Sequence, residues 1–190
     1  MEKINRTTLI KPITCHKIVI MGPESTGKTT LCQALASHFN TVWVPEYLRT
    51  YCQQNWENNG VICTWDDLVP ILEGQLREEA YYLPLANHMI FLDTNILTLY
   101  VNSLIYYQCV PEAIKLACAT LKSDDIYFLA NTDVPWEYDV LRDQPHQRDW
   151  ILEMMKNILQ KYQFNFSLVT GSLEERMHQI ERNLRVKGII

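Results

Sequence analysis

The stretch Gly22-Pro23-Glu24-Ser25-Thr26-Gly27-Lys28-Thr29 fits the pattern G-x-x-x-x-G-K-[ST]. Each part of it has a physical reason. Glycines let the backbone curl until several N–H groups point inward at phosphate oxygens. A helix beginning near Lys28 aims the positive end of its dipole at the same anion. The Lys28 ammonium reaches the β- and γ-phosphates, and the Thr29 hydroxyl joins a Mg²⁺ shell. Gly22, Glu24, Ser25, Thr26, Gly27, Lys28, Thr29 and Thr30 are therefore the expected nucleotide contacts. The plain alternative is a glycine turn with a solvated lysine. A strand before the loop and a helix after it favour the nucleotide site.

Three further regions carry chemistry. His88-Met89-Ile90-Phe91-Leu92-Asp93 is an apolar run ending in a carboxylate. A strand there can lie beside the phosphate loop, with Asp93 holding Mg²⁺ directly or through water. The alternative is an Asp that caps the helix starting at Ile96. Trp43-Val44-Pro45-Glu46-Tyr47-Leu48-Arg49 sits at the end of a second strand. Glu46 there can take the proton from an attacking hydroxyl, with Asp93 as runner-up. Arg49 can clamp substrate or order Glu46, or the two form an exposed i,i+3 bridge. Residues 131–148 include Arg142 and Arg148. Such a loop can close over the nucleotide and stabilise charge on a transferring phosphoryl group. Alternatively it is solvated, its arginines paired with Asp139, Asp143 and Asp149.

The elements that must position these groups alternate in type. Short β-branched or aromatic runs predict strands at Lys17–Met21, Thr41–Val44, His88–Leu92, Ile126–Ala130 and Phe166–Val169. Helical periodicity predicts helices at Lys28–Asn40, Tyr47–Trp56, Thr64–Leu83, Ile96–Tyr107, Pro111–Leu121, Asp149–Tyr162 and Leu173–Val186. Thr64 and Asp67 occupy capping-box positions, and Asn58-Asn59-Gly60 breaks the helix before them. This order means βαβ units, an α/β fold with a parallel sheet, and ligands at the C-terminal strand ends.

Length and composition bound the rest. The 190 residues suit a single domain with a full core and no need of disulfides. Lys and Arg total 17 against 22 Asp and Glu, a net charge of −5, which disfavours nucleic acid as a partner. The longest apolar run, Ile126–Ala130, is five residues, while a membrane span needs about 20. Met1–Thr14 has no apolar stretch of the kind a signal peptide carries, and residues 1–16 read as a flexible leader. The six cysteines form no C-x-x-C and no compact framework, so the expectation is a cytoplasmic protein with reduced, mostly buried thiols. The five histidines show no metal-ligand spacing.

Taken together, the sequences at 22–29, Pro-Glu-Tyr-Leu-Arg at 45–49, Glu-Gly-Gln at 73–75, Phe-Leu-Asp-Thr-Asn at 91–95 and Val-Pro-Trp-Glu-Tyr-Asp-Val-Leu-Arg at 134–142 resemble the kinase domain of NadR proteins. These are small P-loop kinases labelled AAA. The resemblance covers about residues 17–180. Its most specific element is P-W-x-x-D-x-x-R, met by Pro135, Trp136, Asp139 and Arg142. It implies a P-loop NTPase fold of nucleoside/nucleotide-kinase type: a five-stranded parallel sheet flanked by helices in one domain, residues 17–190, with a mobile lid at about 132–148. It also implies ATP-dependent phosphorylation of nicotinamide riboside to nicotinamide mononucleotide, with Mg²⁺. Two positions depart from the family. Pro45 stands where some members carry a Trp that stacks on nicotinamide, and Asn95 replaces the second carboxylate of D-T-D.

On this reading Lys28, Glu46, Asp93, Arg142 and Arg148 are catalytic, and Thr29 and Asp93 hold the metal. Glu46, Tyr47, Arg49, Gln75, Asp93, Trp136 and Asp139 border the small-molecule nucleoside. A cationic nicotinamide ring suits face-on aromatics, for which Trp43, Tyr47, Trp136 and Tyr138 are candidates. Two other functions remain open: a kinase for another nucleoside or small hydroxyl compound, and a nucleotide-binding switch without an acceptor. The absence of N-K-x-D argues against a GTPase of that kind.

Overall fold

A computed structural model describes residues 15–139, 144 and 146–190. The leader expected at residues 1–16 lies almost wholly outside them, as do Arg142 and Asp143. The chain runs β1 (His16–Met21), α1 (Lys28–His38), β2 (Trp43–Val44), α2 (Tyr47–Asn59), α3 (Leu68–Tyr82), β3 (Met89–Asp93), α4 (Ile96–Tyr107), α5 (Glu112–Ala119), β4 (Ile126–Ala130), α6 (Arg148–Lys161), β5 (Phe166–Val169) and α7 (Leu173–Val186). Five parallel strands lie in the order β2-β3-β1-β4-β5. The strand order turns at β1, between β3 and β4, and a ligand crevice belongs at that point.

Both faces of the sheet are covered, which is why its strands read as unbroken apolar runs. Alternation along β1 divides the core. Val19 and Met21 face a layer containing Leu97 of α4, Ile114 of α5 and Leu159 of α6. Ile18 and Ile20 face Leu31 and Leu35 of α1 and Ile180 and Leu184 of α7.

Local chemistry moves some boundaries. α1 stops at His38 rather than Asn40, because Asn40 takes a left-handed φ of 49° and the Thr41 N–H turns back to the Ala36 carbonyl. Thr41 is also drawn off as a side-chain partner of the Met89 carbonyl, so β2 shrinks to two residues. The expected box at Thr64 and Asp67 is present, but it opens a 3₁₀ turn, Trp65–Asp67, from which α3 continues. β3 extends through Asp93, which places that carboxylate inside the sheet and 2% exposed. Cys32, Cys52 and Cys118 are buried, Cys15 and Cys63 half-buried and Cys109 exposed. Among the described residues no helix is long and apolar enough to cross a membrane.

Candidate active site

The loop between β1 and α1 has the curl its sequence requires. Gly22, Ser25 and Gly27 take φ values of 152°, 55° and 77°. Gly22 is also needed for space, because a Cβ there would stand 2.8 Å from the Ala130 carbonyl oxygen at the end of β4. Thr26 is fully buried and its hydroxyl donates to the Pro23 carbonyl at 2.8 Å. The Lys28 ammonium donates to the same carbonyl at 2.8 Å. Its position at the first turn of α1 puts it beside the helix N-terminus, where an anion is stabilised.

Parallel register brings the end of β3 next to this loop, with Ile20 opposite Asp93. The Thr29 hydroxyl donates to Asp93 Oδ2 at 2.5 Å. Asp93 Oδ1 is buried without a hydrogen-bond partner. Burial pushes the Asp93 carboxyl above its ordinary range, against the pull of Lys28, the Thr29 hydroxyl and Arg49. A hydroxyl and an orphaned carboxylate oxygen beside a phosphate loop are hard oxygen donors of the kind Mg²⁺ takes. Thr29 and Asp93 therefore fit the ion. Capping of α4 falls instead to Asn95, whose Oδ1 accepts from the Leu97 N–H at 3.0 Å while its Nδ2 donates to the Tyr127 hydroxyl. The Asn at this position thus has a structural duty of its own.

Glu46 precedes α2 across the cleft. Burial pushes its carboxyl up to about 7, with Lys28 and Arg49 opposing and Asp93 adding to the rise. Thr94, held at a left-handed φ of 66°, donates its hydroxyl to Glu46 Oε1 at 3.4 Å. A carboxyl that titrates near neutrality, facing a lysine and a second carboxylate, is equipped to accept a proton from a hydroxyl.

The described part of the 132–148 segment lies on the phosphate loop. Glu24 Oε1 accepts from the Gln144 N–H at 2.9 Å and from Trp136 Nε1 at 3.4 Å. Ser25 Oγ accepts from the Glu137 N–H at 2.8 Å. Asp139 pairs with Arg49, joining this segment to α2. Arg148 opens α6 and donates to the carbonyls of Ser25, Thr132 and Val134. Its guanidinium spans the loop and the start of the segment.

One cleft of about 380 Å³ joins the phosphate loop to Glu46, Arg49 and Gln144. Residues 22–29, Glu46 and Arg49 line one part. The remainder is mainly apolar, with Cys52, Ile62, Cys63, Leu99, Tyr106 and Tyr107 in its wall and Asn102 among them. Thr30 follows the lining residues on α1 and is exposed. Of the expected substrate contacts, Glu46 and Arg49 line the cleft. Tyr47 and Gln75 lie behind Glu46. Gln75 Oε1 accepts from the Tyr47 N–H at 2.9 Å, so it satisfies the first turn of α2. Trp43 packs on the α1 side of the sheet, away from the cleft. Trp136 and Tyr138 meet edge to face within the 132–148 segment.

Sequence reasoning passed over Arg176 on α7, which is 3% exposed. It donates to the carbonyls of Gly171, Thr26 and Asn131 and to Asp133 Oδ1. A signal was present, since position 176 continues the stripe of Ile180 and Leu184 at four-residue spacing, and a charge on a buried stripe needs partners. Tyr106 and Tyr107 were also missed, because α4 reads simply as a core helix.

Comparison with known proteins agrees with this architecture. A family model described as an AAA domain matches residues 17–176. The trifunctional NAD biosynthesis/regulator protein NadR of Escherichia coli K12 is 26% identical over 155 residues, 78% of this chain and 38% of that protein. The chain thus spans well under half the length of this relative. A crystal structure of NadR in complex with NR superposes with a TM-score of 0.74 at 20% identity, over 92% of this chain and 50% of that one. A second NadR structure, with NAD and AMP-PNP, gives 0.72 at 20% identity over the same shares. The deoxyadenosine kinase of M. mycoides gives 0.65 at 14% identity, over 90% of this chain and 99% of that one. The fold is that of the P-loop nucleoside and nucleotide kinases.

Proposed function

The chain belongs to the AAA domain family, and from that premise we propose that it transfers the γ-phosphoryl group of ATP to the 5′-hydroxyl of nicotinamide riboside. The observation that carries this reading is the pairing within one cleft of Glu46 with the Lys28 loop, next to a largely apolar wall. NadR, the relative whose solved structure holds NR, supports the choice of acceptor.

The residues divide the work. Backbone N–H groups of 22–29 and the α1 dipole hold the phosphates, and Lys28 offsets charge on the β- and γ-oxygens. Thr29 and Asp93 would hold Mg²⁺, which when bound supplies further neutralisation of that charge. Glu46 accepts the proton of the attacking hydroxyl. Arg49 lines the cleft, and its ion pair with Asp139 ties the lid segment to α2. Arg148 fixes the lid segment to the loop, and Arg142 is assigned to the transferring phosphoryl group from the lid signature. Phosphoryl transfer of this kind depends on position and charge, which these side chains provide.

A second acceptor class has one observation in its favour. The cleft presents Tyr106 and Tyr107, and none of Trp43, Tyr47, Trp136 or Tyr138 lines it. A wall of two tyrosines and mainly apolar neighbours accepts an uncharged base as readily as a cationic ring, so it does not single out nicotinamide. The deciding measurement is ADP release from Mg·ATP with nicotinamide riboside and with a panel of other nucleosides. Stimulation by the riboside alone supports the first reading, and stimulation by another nucleoside supports the second. ATP binding with no stimulation by any of them overturns both.

A further inference from the structure

A second, smaller cavity lies behind Glu46, with Gln75, Thr94, Asn95 and Thr98 in its lining. Glu46, Leu48, Thr98 and Leu99 line both this cavity and the main cleft, and so form the partition between them. Its volume is about 10 Å³. One water molecule needs about 10–15 Å³ by the same kind of measure, together with two to four polar partners.

The walls supply those partners. Gln75 Nε2 and Thr98 Oγ1 are buried with no hydrogen-bond partner, and each residue is 5% exposed. The carboxamide of Gln75 cannot be turned over to remove the problem. The Tyr47 N–H is a donor, so the atom it meets at 2.9 Å must be Oε1, and the NH₂ group is left as the unpaired end. Buried amides and hydroxyls of this kind are ordinarily satisfied, by ordered water where protein groups do not reach. Glu46 lines the same cavity, and its bond from the Thr94 hydroxyl is long at 3.4 Å, so its carboxylate has room to accept another.

We propose that a resident water occupies this cavity, accepts a hydrogen bond from Gln75 Nε2, pairs with Thr98 Oγ1 and donates to the Glu46 carboxylate. Gln75 and Thr98 are then positioning residues for Glu46, and the inference rests on the reading of Glu46 as the acceptor-side base. The Gln75 carboxamide fixes the first turn of α2 with its oxygen and the preceding carboxylate with its nitrogen. This gives the Glu-Gly-Gln sequence at 73–75 a purpose beyond packing. A carboxylate held from behind keeps its lone pair on the acceptor hydroxyl, and small errors in that aim cost large factors in rate.

Two measurements test this. The first is a crystal structure of the wild-type chain at a resolution that shows ordered water. The expected result is a water within hydrogen-bonding distance of Gln75 Nε2, Thr98 Oγ1 and a Glu46 oxygen. No water there, or a water not bonded to Glu46, overturns the proposal, whatever the acceptor proves to be. The second compares Thr98→Val with Thr98→Ser in acceptor-dependent ADP release. The valine variant is expected to lose about tenfold in kcat with the KM for Mg·ATP unchanged, and the serine variant to return within about twofold of wild type. A valine variant with full kcat, or a serine variant as impaired as valine, overturns the positioning role. Failure of the parent reading looks different. There, Glu46→Gln would keep full turnover while the water remained visible.

Discussion

The Thr29 hydroxyl donates to Asp93 Oδ2 at 2.5 Å and so joins the first turn of α1 to the last residue of β3. The bond aligns two oxygen donors beside the phosphate loop and leaves Asp93 Oδ1 buried without a partner. Such a carboxylate is an expense to the fold, since burial raises its pKa above the ordinary range. Asp93→Asn should therefore lower turnover by about a thousandfold or more, yet leave the apo protein as stable as wild type or more so. Steady-state ADP release and a thermal melt without nucleotide check the two halves. A variant that loses stability and keeps turnover contradicts the assignment.

Lys28 carries the second prediction. Its ammonium is seated on the Pro23 carbonyl within the loop, in reach of any phosphate the loop holds. Lys28→Ala removes the charge without opening the core. It should cost on the order of 10³-fold or more in kcat/KM and shift Tm by no more than a few degrees. Undiminished turnover in this variant would sink the phosphate-loop mechanism.

Glu46 gives a pH dependence whose sign can be worked out twice. As a base it acts ionised, so turnover should rise with pH through about 7 and then level, and Glu46→Gln should abolish that limb along with 10²- to 10⁴-fold of rate. Its effect on stability runs the other way. The folded pKa, about 7, lies above the ordinary 4.5, so the unfolded chain releases its proton first as pH rises. The stability it lends is complete below pH 4.5 and is lost on the way to 7. Asp125, pushed up to about 6 mainly by burial, acts in the same direction. Asp67, Glu175 and Glu181 are shifted below their ordinary values, so their contributions are already complete at pH 5 and cannot offset this loss. The nucleotide-free protein should melt higher at pH 5 than at pH 7.5, a reversal of the order expected for activity. Melts across that range in one buffer series decide it.

The parts of this site that were legible in the sequence are the ones fixed by local chemistry. Residues 22–29 curl at the positions where their sequence calls for it, and four of the elements, Ile96–Tyr107, Ile126–Ala130, Phe166–Val169 and Leu173–Val186, begin and end where their periodicity does. Glu46 and Asp93 were legible as strand-end carboxylates because parallel sheets gather those ends. The far wall of the cleft was not, since Cys52, Tyr106 and Tyr107 come from helices whose apolar faces look like ordinary core. Gln75 was expected at the acceptor and proves to serve the Tyr47 N–H, a long-range contact that no spacing encodes. Thr41–Val44 lost half its length as a strand because the Thr41 side chain found a tertiary partner.

Arg176 is the clearest case of a charge kept in the core by its partners. It holds the carbonyls of Thr26, Gly171 and Asn131 together with Asp133, and so fixes the back of the phosphate loop to the segment that follows β4. Arg176→Met fills similar space but strands three carbonyls, while Asp133, which is exposed, keeps the Gly171 N–H. Leaving buried acceptors unpaired costs about 1–3 kcal/mol each, so the loss should be about 3 kcal/mol or more. At about 2–4 °C per kcal/mol for a chain of this size, Tm should fall by roughly 6 °C or more. The KM for ATP should rise as well, because the loop is no longer braced. A melt unchanged from wild type would show that the lattice of bonds around Arg176 contributes nothing.

Gly74 tests whether α2 is aimed at the cleft from behind. A Cβ at this position would fall 1.9 Å from the Tyr47 ring, far inside contact distance. α3 therefore admits the ring only because residue 74 has no side chain, and the neighbouring Gln75 can then bond the Tyr47 N–H. Gly74→Ala must push Tyr47 outward. Ala favours the helix by about 1 kcal/mol over Gly, while overpacking costs about 1–3 kcal/mol, so the net destabilisation should lie between about zero and 2 kcal/mol. The displacement of Tyr47 carries Glu46 with it, since the two are adjacent. Acceptor-dependent turnover should consequently fall at least tenfold while nucleotide affinity, set on the other side of the cleft, stays within about twofold. Equal losses in ATP binding and turnover would mean that the ring contact supports the whole fold rather than the acceptor side of the site.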